Sequence, residues 1–313
     1  MEDLRIASFL PAATEMVYQL GLGDQLVGVT HECDYPPSAK SKPVLVDCAL
    51  DLSGMTTRQI DEAVTLRIGS GQSLYAVDEE KLRRAAPNVL ITQNLCQVCG
   101  PAGNEVSQVL KTLTPVPEII WQTPRTFEEI LDAYQELGRR TGRLEAAKDW
   151  VMVAREKIKS IASRSATYQR KTRVAFLEWV DPIYCGGHWI PQMLDWVSAE
   201  DRNSKNGTDS IRISWESVLD YQPEVIIVSP CGYKTDKALE QSMKLTERSG
   251  WDDLPAVKQG QVFAVDANSY FARPGPRIVE GVELLAHLIR PDDFQWMGSA
   301  DAYCQVPRLS RGT

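Results

Sequence analysis

The side chains most capable of binding ligands or taking part in reactions cluster in five short segments of the sequence. These segments combine aromatic rings with thiols, imidazole and carboxylates, and each follows a run of residues that predicts a strand. They cover residues 31–37, 92–100, 178–189, 229–233 and 266–277. Trp, Tyr and Phe provide broad, rigid apolar contacts with polar edges, which is the usual lining of a small-molecule site. Since binding residues concentrate on loops that a rigid scaffold positions, the segments predict a ligand site at strand ends.

Thiols and an imidazole in these segments could also hold a metal ion. Cys96 and Cys99 have the spacing of two metal ligands or of a redox pair. The full set of candidate metal ligands is Cys33, Cys96, Cys99, Cys185 and Cys231. His188 is a candidate ligand-binding residue because it follows two glycines that let the backbone approach a ligand closely. The alternative interpretation is that the cysteines are buried and inert, which is the commoner state of a free cysteine.

Composition and charge exclude several classes of protein. The formal net charge of −8 argues against nucleic acid or an anionic membrane as the main partner, since both favour a basic surface. No apolar run approaches the roughly 20 residues that span a bilayer, so no membrane insertion is expected. Seven unevenly spaced cysteines and a chain start without a secretory signal predict a cytoplasmic protein with reduced thiols. Removal of a leader segment would instead make it periplasmic.

The motifs of common enzymes are missing from the sequence. It contains neither G-x-S-x-G nor H-E-x-x-H, and the glycines at 69 and 71 lack the lysine and spacing of a phosphate loop. The first predicted strand leads into Leu10-Pro11 rather than into the glycine-rich turn of a dinucleotide site. We therefore expect a protein that is not an enzyme and that has no certain cofactor.

The elements that must position the five segments alternate between strands and helices. In both halves of the chain, short apolar strands alternate with helices, which predicts two Rossmann-like α/β lobes with mostly parallel sheets. Between the halves, apolar residues recur at spacings of three and four, which places them on one stripe of a long helix. The members of the stripe are Leu144, Ala147, Val151, Ala154, Ile158 and Ile161.

A chain of 313 residues is longer than a single hydrophobic core usually supports, so two domains are expected. The predicted organisation has an N-terminal α/β lobe, a helical connector that includes the long interdomain helix, a C-terminal α/β lobe and an irregular tail. The respective bounds are residues 1–124, 125–170, 171–291 and 292–313.

Four stretches of the sequence, at 5–36, 86–93, 221–230 and 269–278, resemble the cobalamin-type and siderophore-type substrate-binding proteins of ABC importers. The resemblance implies two α/β lobes joined by one long helix, with a ligand held in the cleft between the lobes. It assigns positions in the ligand site to Tyr35, Gln93, Asn94, Trp179, Trp189, Tyr270, Phe271 and Arg273. Tyr270 and Phe271 match an aromatic pair that flanks the corrin ring, and Arg273 matches a position at the cleft rim.

Two functions are compatible with these observations. The first is non-enzymatic binding of a corrinoid (cobalamin) or a related metal chelate, with an ABC importer as the partner that the resemblance implies. The second is a cytoplasmic metal or iron–sulfur protein, either a binding protein or an enzyme, that holds its centre through the cysteines named above and His188. Fold alone does not separate the two, because function depends on the site that a fold carries.

Overall fold

The computed structural model describes residues 4–93, 110 and 113–308, and the chain forms two compact units. Unit 1 consists of Met1–Pro124 and Glu128–Met152, and unit 2 consists of Arg125–Phe127 and Val153–Thr313. Each unit has one six-stranded, mostly parallel sheet, so the predicted α/β class with two parallel sheets is confirmed. Within the described ranges, no helix combines the length and the apolar character needed to cross a bilayer.

Parallel strands make up most of the sheet of unit 1. Its strands are β1 (Ile6–Ser8), β2 (Leu26–Thr30), β3 (Val44–Cys48), β4 (Tyr75–Val77), β5 (Val89–Thr92) and β6 (Glu118–Trp121). They lie in the order β4-β3-β2-β1-β5-β6, and only β4 runs antiparallel to its neighbour. Gly28 is required in β2, because a Cβ there would overlap the side chain of Leu45 in β3. The strand order reverses between β1 and β5, the position where open α/β sheets bind ligands.

The local sequence explains where the first helices begin. They are α1 (Pro11–Gln19), α2 (Thr57–Gly69), α3 (Glu79–Ala85), α4 (Phe127–Arg140) and α5 (Leu144–Ser165). Proline is well suited to the first position of α1, where its missing N–H costs nothing. Thr56 and Gln59 form a capping box before α2. Asp78 caps α3 by accepting a hydrogen bond from the Lys81 N–H at 2.9 Å.

The long helix α5 carries the apolar stripe that the sequence predicts. Its buried members are Ala147, Val151, Ala154, Ile158 and Ile161, whereas Leu144 is half-buried. Residues of α5 up to Met152 belong to unit 1, and residues from Val153 onward belong to unit 2. The prediction of one long helix shared between the two halves of the chain is confirmed.

Unit 2 is organised around three parallel strands. Its strands are β7 (Thr172–Val180), β8 (Ile183–Cys185), β9 (Ala199–Glu200), β10 (Val225–Val228), β11 (Val262–Val265) and β12 (Tyr303–Gln305). The order is β12-β11-β10-β7-β8, with β9 paired to β7. Strand β10 is central and fully buried, and β7 and β11 run parallel to it on either side. The carboxyl ends of β7, β10 and β11 therefore meet at one edge of the sheet.

Helices cover the sheet of unit 2. They are α6 (Ile190–Trp196), α7 (Trp215–Tyr221), α8 (Thr235–Leu245), α9 (Pro255–Lys258), α10 (Ala267–Tyr270) and α11 (Ile278–Ile289). Most residues of α11 are buried. Gly281 of α11 has no room for a side chain, because a Cβ there would overlap the carbonyl oxygen of Tyr270. Helix α11 therefore lies directly against the end of α10.

The C-terminal tail differs from the irregular segment that the sequence predicts. Residues Tyr303–Gln305 form β12, which pairs antiparallel with β11 and makes Val265 the partner of Tyr303. Phe294, Ala302 and Val306 are buried. A strand of only three residues is too short to produce a recognisable alternation of apolar and polar residues, which is why the pattern of the sequence does not reveal it.

Candidate functional site

Three loops of unit 2 come together at the edge of the sheet where β7, β10 and β11 end. The Ser229 N–H donates to the Leu177 carbonyl oxygen at 2.8 Å, and the Cys231 N–H donates to that of Glu178 at 3.2 Å. The Ala267 N–H donates to the Tyr233 carbonyl oxygen at 3.1 Å. These backbone bonds bring three of the predicted segments, at 178–189, 229–233 and 266–277, into one continuous surface.

An aromatic pair lies on this surface. The ring centroids of Trp179 and Tyr233 are 5.6 Å apart, with 37° between the ring planes. Both residues are half-buried, so each keeps part of its ring accessible. The Lys237 ammonium lies 5.8 Å from the centroid of the Tyr233 ring. Tyr233 is missing from the residues that the sequence and the resemblance assign to the site, although its place in a strand-end loop was a usable signal.

A carboxylate next to Trp179 fixes the neighbouring loops. Glu178 accepts hydrogen bonds from the Gly187 N–H, at 3.1 Å, and from the Ser210 hydroxyl. Burial raises the pKa of the Glu178 carboxyl above its ordinary value, and these two hydrogen bonds oppose the rise. Glycine is required at 187, because a Cβ there would lie 2.5 Å from the Ser210 backbone nitrogen. The carboxylate therefore connects the loop after β8 to the segment that ends at Ser210.

His188 is held in an ionic cluster beside this carboxylate. Its Nε2 lies 3.1 Å from Asp209 Oδ1, and Arg125 Nη1 lies 3.1 Å from the same oxygen. The backbone of His188 is left-handed, with φ of 50°, and its N–H donates to the Thr208 carbonyl oxygen at 2.6 Å. Burial lowers the pKa of His188, Asp209 opposes that effect, and Arg125 adds to it. The lowered pKa favours the neutral imidazole, which is the form that binds metal ions.

The other predicted aromatic residues of unit 2 lie inside it. Phe271 is only 2% exposed, and its ring packs edge-on against Phe176 with centroids 5.3 Å apart. Trp189 is 5% exposed, and its indole N–H donates to the Phe271 carbonyl oxygen at 2.8 Å. Tyr270 and Arg273 are also buried. These four residues are therefore buried in unit 2, whereas Trp179 and Tyr233 are half-buried.

In unit 1, the predicted residues occupy loops after β2 and β5. Tyr35 follows β2 and is 44% exposed. Gln93 directly follows β5 and is buried. Asn94 lies outside the described residues.

The cysteines named as metal ligands have different surroundings. Cys33 is buried, with its Sγ 3.1 Å from Thr14 Oγ1 and 3.3 Å from Thr30 Oγ1. Cys185 is buried and donates to the Asn203 carbonyl oxygen at 3.1 Å, and burial raises its thiol pKa. Cys231 is exposed, while Cys96 and Cys99 lie outside the described residues. Among residues 4–93, 110 and 113–308, no three His, Cys, Asp or Glu side chains form a group that could hold a metal ion.

The family of the chain is shown by a sequence match that covers most of this fold. A profile of the family described as "Periplasmic binding protein" matches residues 6–269, which include strands β1 to β11. The chain belongs to the periplasmic binding protein family. The predicted resemblance to substrate-binding proteins of ABC importers is confirmed by this match and by the relatives of this periplasmic binding protein.

Two relatives align with this periplasmic binding protein over most of its length. One is the uncharacterized ABC transporter substrate-binding lipoprotein YvrC of Bacillus subtilis, with 26% identity over 299 residues, covering 94% of this chain and 82% of that protein. The other is the vitamin B12-binding protein of Vibrio cholerae, with 26% identity over 281 residues, covering 89% of this chain and 86% of that protein. The names of these relatives describe binding proteins, which supports the expectation that the chain is not an enzyme.

A solved structure supports the shared fold. A periplasmic heme-binding protein from Pseudomonas aeruginosa has a TM-score of 0.70 and 17% identity to this chain, and covers 97% of this chain and 98% of its own. Among the sequence relatives, YvrC is described as a lipoprotein. The expectation of a cytoplasmic protein therefore finds no support among these relatives.

Proposed function

We propose that this periplasmic binding protein binds a corrinoid, or a related planar metal chelate, without transforming it chemically. The observation that carries the proposal is the accessible aromatic pair of Trp179 and Tyr233 at the carboxyl edge of the unit 2 sheet. A flat macrocycle removes much apolar surface from water when it covers such rings. The 26% identity to a vitamin B12-binding protein over 281 residues favours a corrinoid within this class of ligand.

We infer that His188 can coordinate the metal of the bound chelate. Burial lowers its pKa, which favours the neutral imidazole that binds metal ions. Because Nε2 lies 3.1 Å from Asp209 Oδ1, coordination would use Nδ1. The metal in this proposal is part of the ligand, so the cysteines of the chain are not needed to hold it.

The same proposal includes delivery of the ligand to an ABC importer. It is supported by the name of the Bacillus subtilis relative, an ABC transporter substrate-binding lipoprotein. Deletion of the gene in its own organism should lower uptake of the ligand, and re-expression should restore uptake. Unchanged uptake after deletion would contradict a role in import.

The binding proposal is tested by calorimetric titration of the purified protein with cyanocobalamin and, separately, with hemin. We expect saturable binding at one site by cyanocobalamin. Trp179→Ala and Tyr233→Ala should each weaken binding about tenfold to hundredfold, because truncating an aromatic anchor costs about 1–3 kcal/mol. Leu66→Ala, at an exposed position on α2, is the matched control and should bind as the wild type does.

Two results would revise the proposal in different ways. Saturable binding of hemin alone would support a site for a planar chelate, but it would show that the ligand is not a corrinoid. Binding of neither compound, or equal binding by the wild type and both aromatic variants, would refute a chelate site on this surface.

Metal coordination has its own test. Aquacobalamin bound to the wild-type protein should show a shifted absorption spectrum, and His188→Gln should remove the shift while retaining most of the affinity. An unchanged spectrum at saturating protein would rule out coordination by His188.

A further inference from the structure

The C-terminal segment of the chain lies at the same edge of the sheet as the three loops of the candidate site. Strand β12 runs antiparallel to β11, and its first residue, Tyr303, is the partner of Val265, the last residue of β11. The Asp266 N–H donates to the Ala302 carbonyl oxygen at 2.8 Å. The residues that precede β12 must therefore lie beyond the carboxyl end of β11, where α10 begins.

Two contacts anchor this segment to α11. His287 Nδ1 lies 2.8 Å from the Phe294 carbonyl oxygen, and His287 Nε2 lies 2.8 Å from the Tyr303 hydroxyl. Because a carbonyl oxygen only accepts, Nδ1 donates to the Phe294 carbonyl oxygen. The Arg164 guanidinium lies 4.2 Å from the centroid of the buried Phe294 ring. Both ends of residues 294–303 are therefore fixed in place.

Trp296 is the aromatic residue that this segment brings to the edge. Its indole N–H donates to the Ser299 carbonyl oxygen at 2.8 Å. Its ring covers Gly298 so closely that a Cβ on that glycine would overlap it. The ring is half-buried and meets Tyr270 edge-on, with centroids 5.6 Å apart and 88° between the planes.

Trp296 ends a row of contacting residues in unit 2, most of them aromatic. Tyr270 meets Phe271 at 6.5 Å between centroids, and the Phe271 carbonyl oxygen accepts from the Trp189 indole. Trp189 in turn lies 5.5 Å from His188, between ring centroids. The middle of the row is buried and its two ends, His188 and Trp296, are partly accessible.

We propose that Trp296 is a further binding residue for the planar chelate. The accessible part of the Trp296 ring contacts the chelate, and the edge of the ring holds Tyr270 in position. This inference rests on the proposed function. The family profile ends at residue 269, so the segment that supplies Trp296 lies beyond the part of the chain that the profile describes. A tethered indole with few conformations left adds aromatic contact area at little cost in entropy.

The test compares cyanocobalamin binding by the full-length wild type, Trp296→Ala and Trp296→Phe. We expect Trp296→Ala to weaken binding about fivefold to thirtyfold and Trp296→Phe to retain most of the affinity. Met297→Ala is the matched control, since its side chain is 87% exposed, and it should bind as the wild type does. Bound corrinoid should also quench the fluorescence of the wild type by a larger fraction than that of Trp296→Phe, because Trp296 lies beside the ligand.

The outcomes separate this inference from the proposed function. Wild-type affinity in Trp296→Ala would overturn the role of Trp296 and leave the chelate site intact. Equal weakening in the Ala and Phe variants, with lowered melting temperatures in both, would also overturn it, because the residue would then be structural. Failure of the wild type to bind either cyanocobalamin or hemin would reject the proposed function itself.

Discussion

Replacement of Glu178 tests how the loops of the unit 2 surface are held. Its carboxylate accepts from the Gly187 N–H and from the Ser210 hydroxyl. In Glu178→Gln, the amide oxygen can accept from Gly187 while the amide NH2 donates to the Ser210 oxygen. In Glu178→Ala, both partners lose their bond. The two variants thus separate loss of charge from loss of hydrogen bonding.

The expected magnitudes follow from these two bonds. A buried polar group left without a partner costs about 1–3 kcal/mol. In Glu178→Ala the Gly187 N–H loses its acceptor, so we expect this variant to lower the free energy of unfolding by about 1–3 kcal/mol. Glu178→Gln should stay within about 1 kcal/mol of the wild type near pH 5.

The pH dependence has a definite sign. Burial raises the pKa of the Glu178 carboxyl above its ordinary value of 4.5. The protonated carboxyl therefore contributes stability that is fully present below pH 4.5 and is lost as the pH rises through the folded-state pKa. Glutamine does not titrate. The stability of Glu178→Gln relative to the wild type should therefore increase from about pH 4.5 upward and then level off.

Urea unfolding followed by tryptophan fluorescence measures these differences. Six of the eight tryptophans belong to unit 2, so the signal reports mainly on that unit. A loss of stability in Glu178→Gln as large as that in Glu178→Ala would contradict the role of the two hydrogen bonds. An equal difference in stability between Glu178→Gln and the wild type at pH 5 and at pH 8 would contradict the raised pKa of Glu178.

Three further predictions follow from other parts of the structure. Hydrogen bonds from Arg170 lower the pKa of Glu224 to about 2, so this carboxylate stabilises the fold above pH 4.5 and loses that effect as the pH falls toward 2. Glu224→Gln should therefore cost about 1–2 kcal/mol at pH 7 and almost nothing in strong acid, as measured by urea unfolding. Gly187→Ala places a Cβ 2.5 Å from the Ser210 nitrogen and should lower the free energy of unfolding by about 1–3 kcal/mol, and an unchanged urea midpoint would contradict the crowding. Tyr233→Phe should retain cyanocobalamin binding, because its ring keeps the contact with Trp179, and the calorimetry described above checks this against Tyr233→Ala and the α2 control.

The sequence was sufficient to predict the two parallel sheets and the long helix, for a clear physical reason. Strand β10, from Val225 to Val228, is an uninterrupted apolar run because it is buried on both faces. The stripe that runs from Ala147 to Ile161 is visible because a helix repeats its buried face every three or four residues. Such patterns depend only on neighbours along the chain.

The details of the candidate site depend on contacts between distant residues, which no local pattern reveals. Phe271 and Trp179 both lie in strand-end loops, yet Phe271 packs against Phe176 inside unit 2 and Trp179 stays partly accessible. One hydrogen-bond partner of the Glu178 carboxylate, Ser210, lies 32 residues away along the chain. The position of Trp296 could not be predicted either, since it depends on how a three-residue strand pairs with β11.

The pairing of β12 with β11 limits how the chain can be shortened for experiments. A fragment that ends after α11 would leave the apolar residues Val262–Val265 on an open sheet edge, with unpaired N–H and C=O groups facing water. Open apolar edges of this kind recruit strands from other molecules. A truncated preparation would therefore be expected to self-associate at high concentration, and purification tags are better attached after the final strand than in place of it.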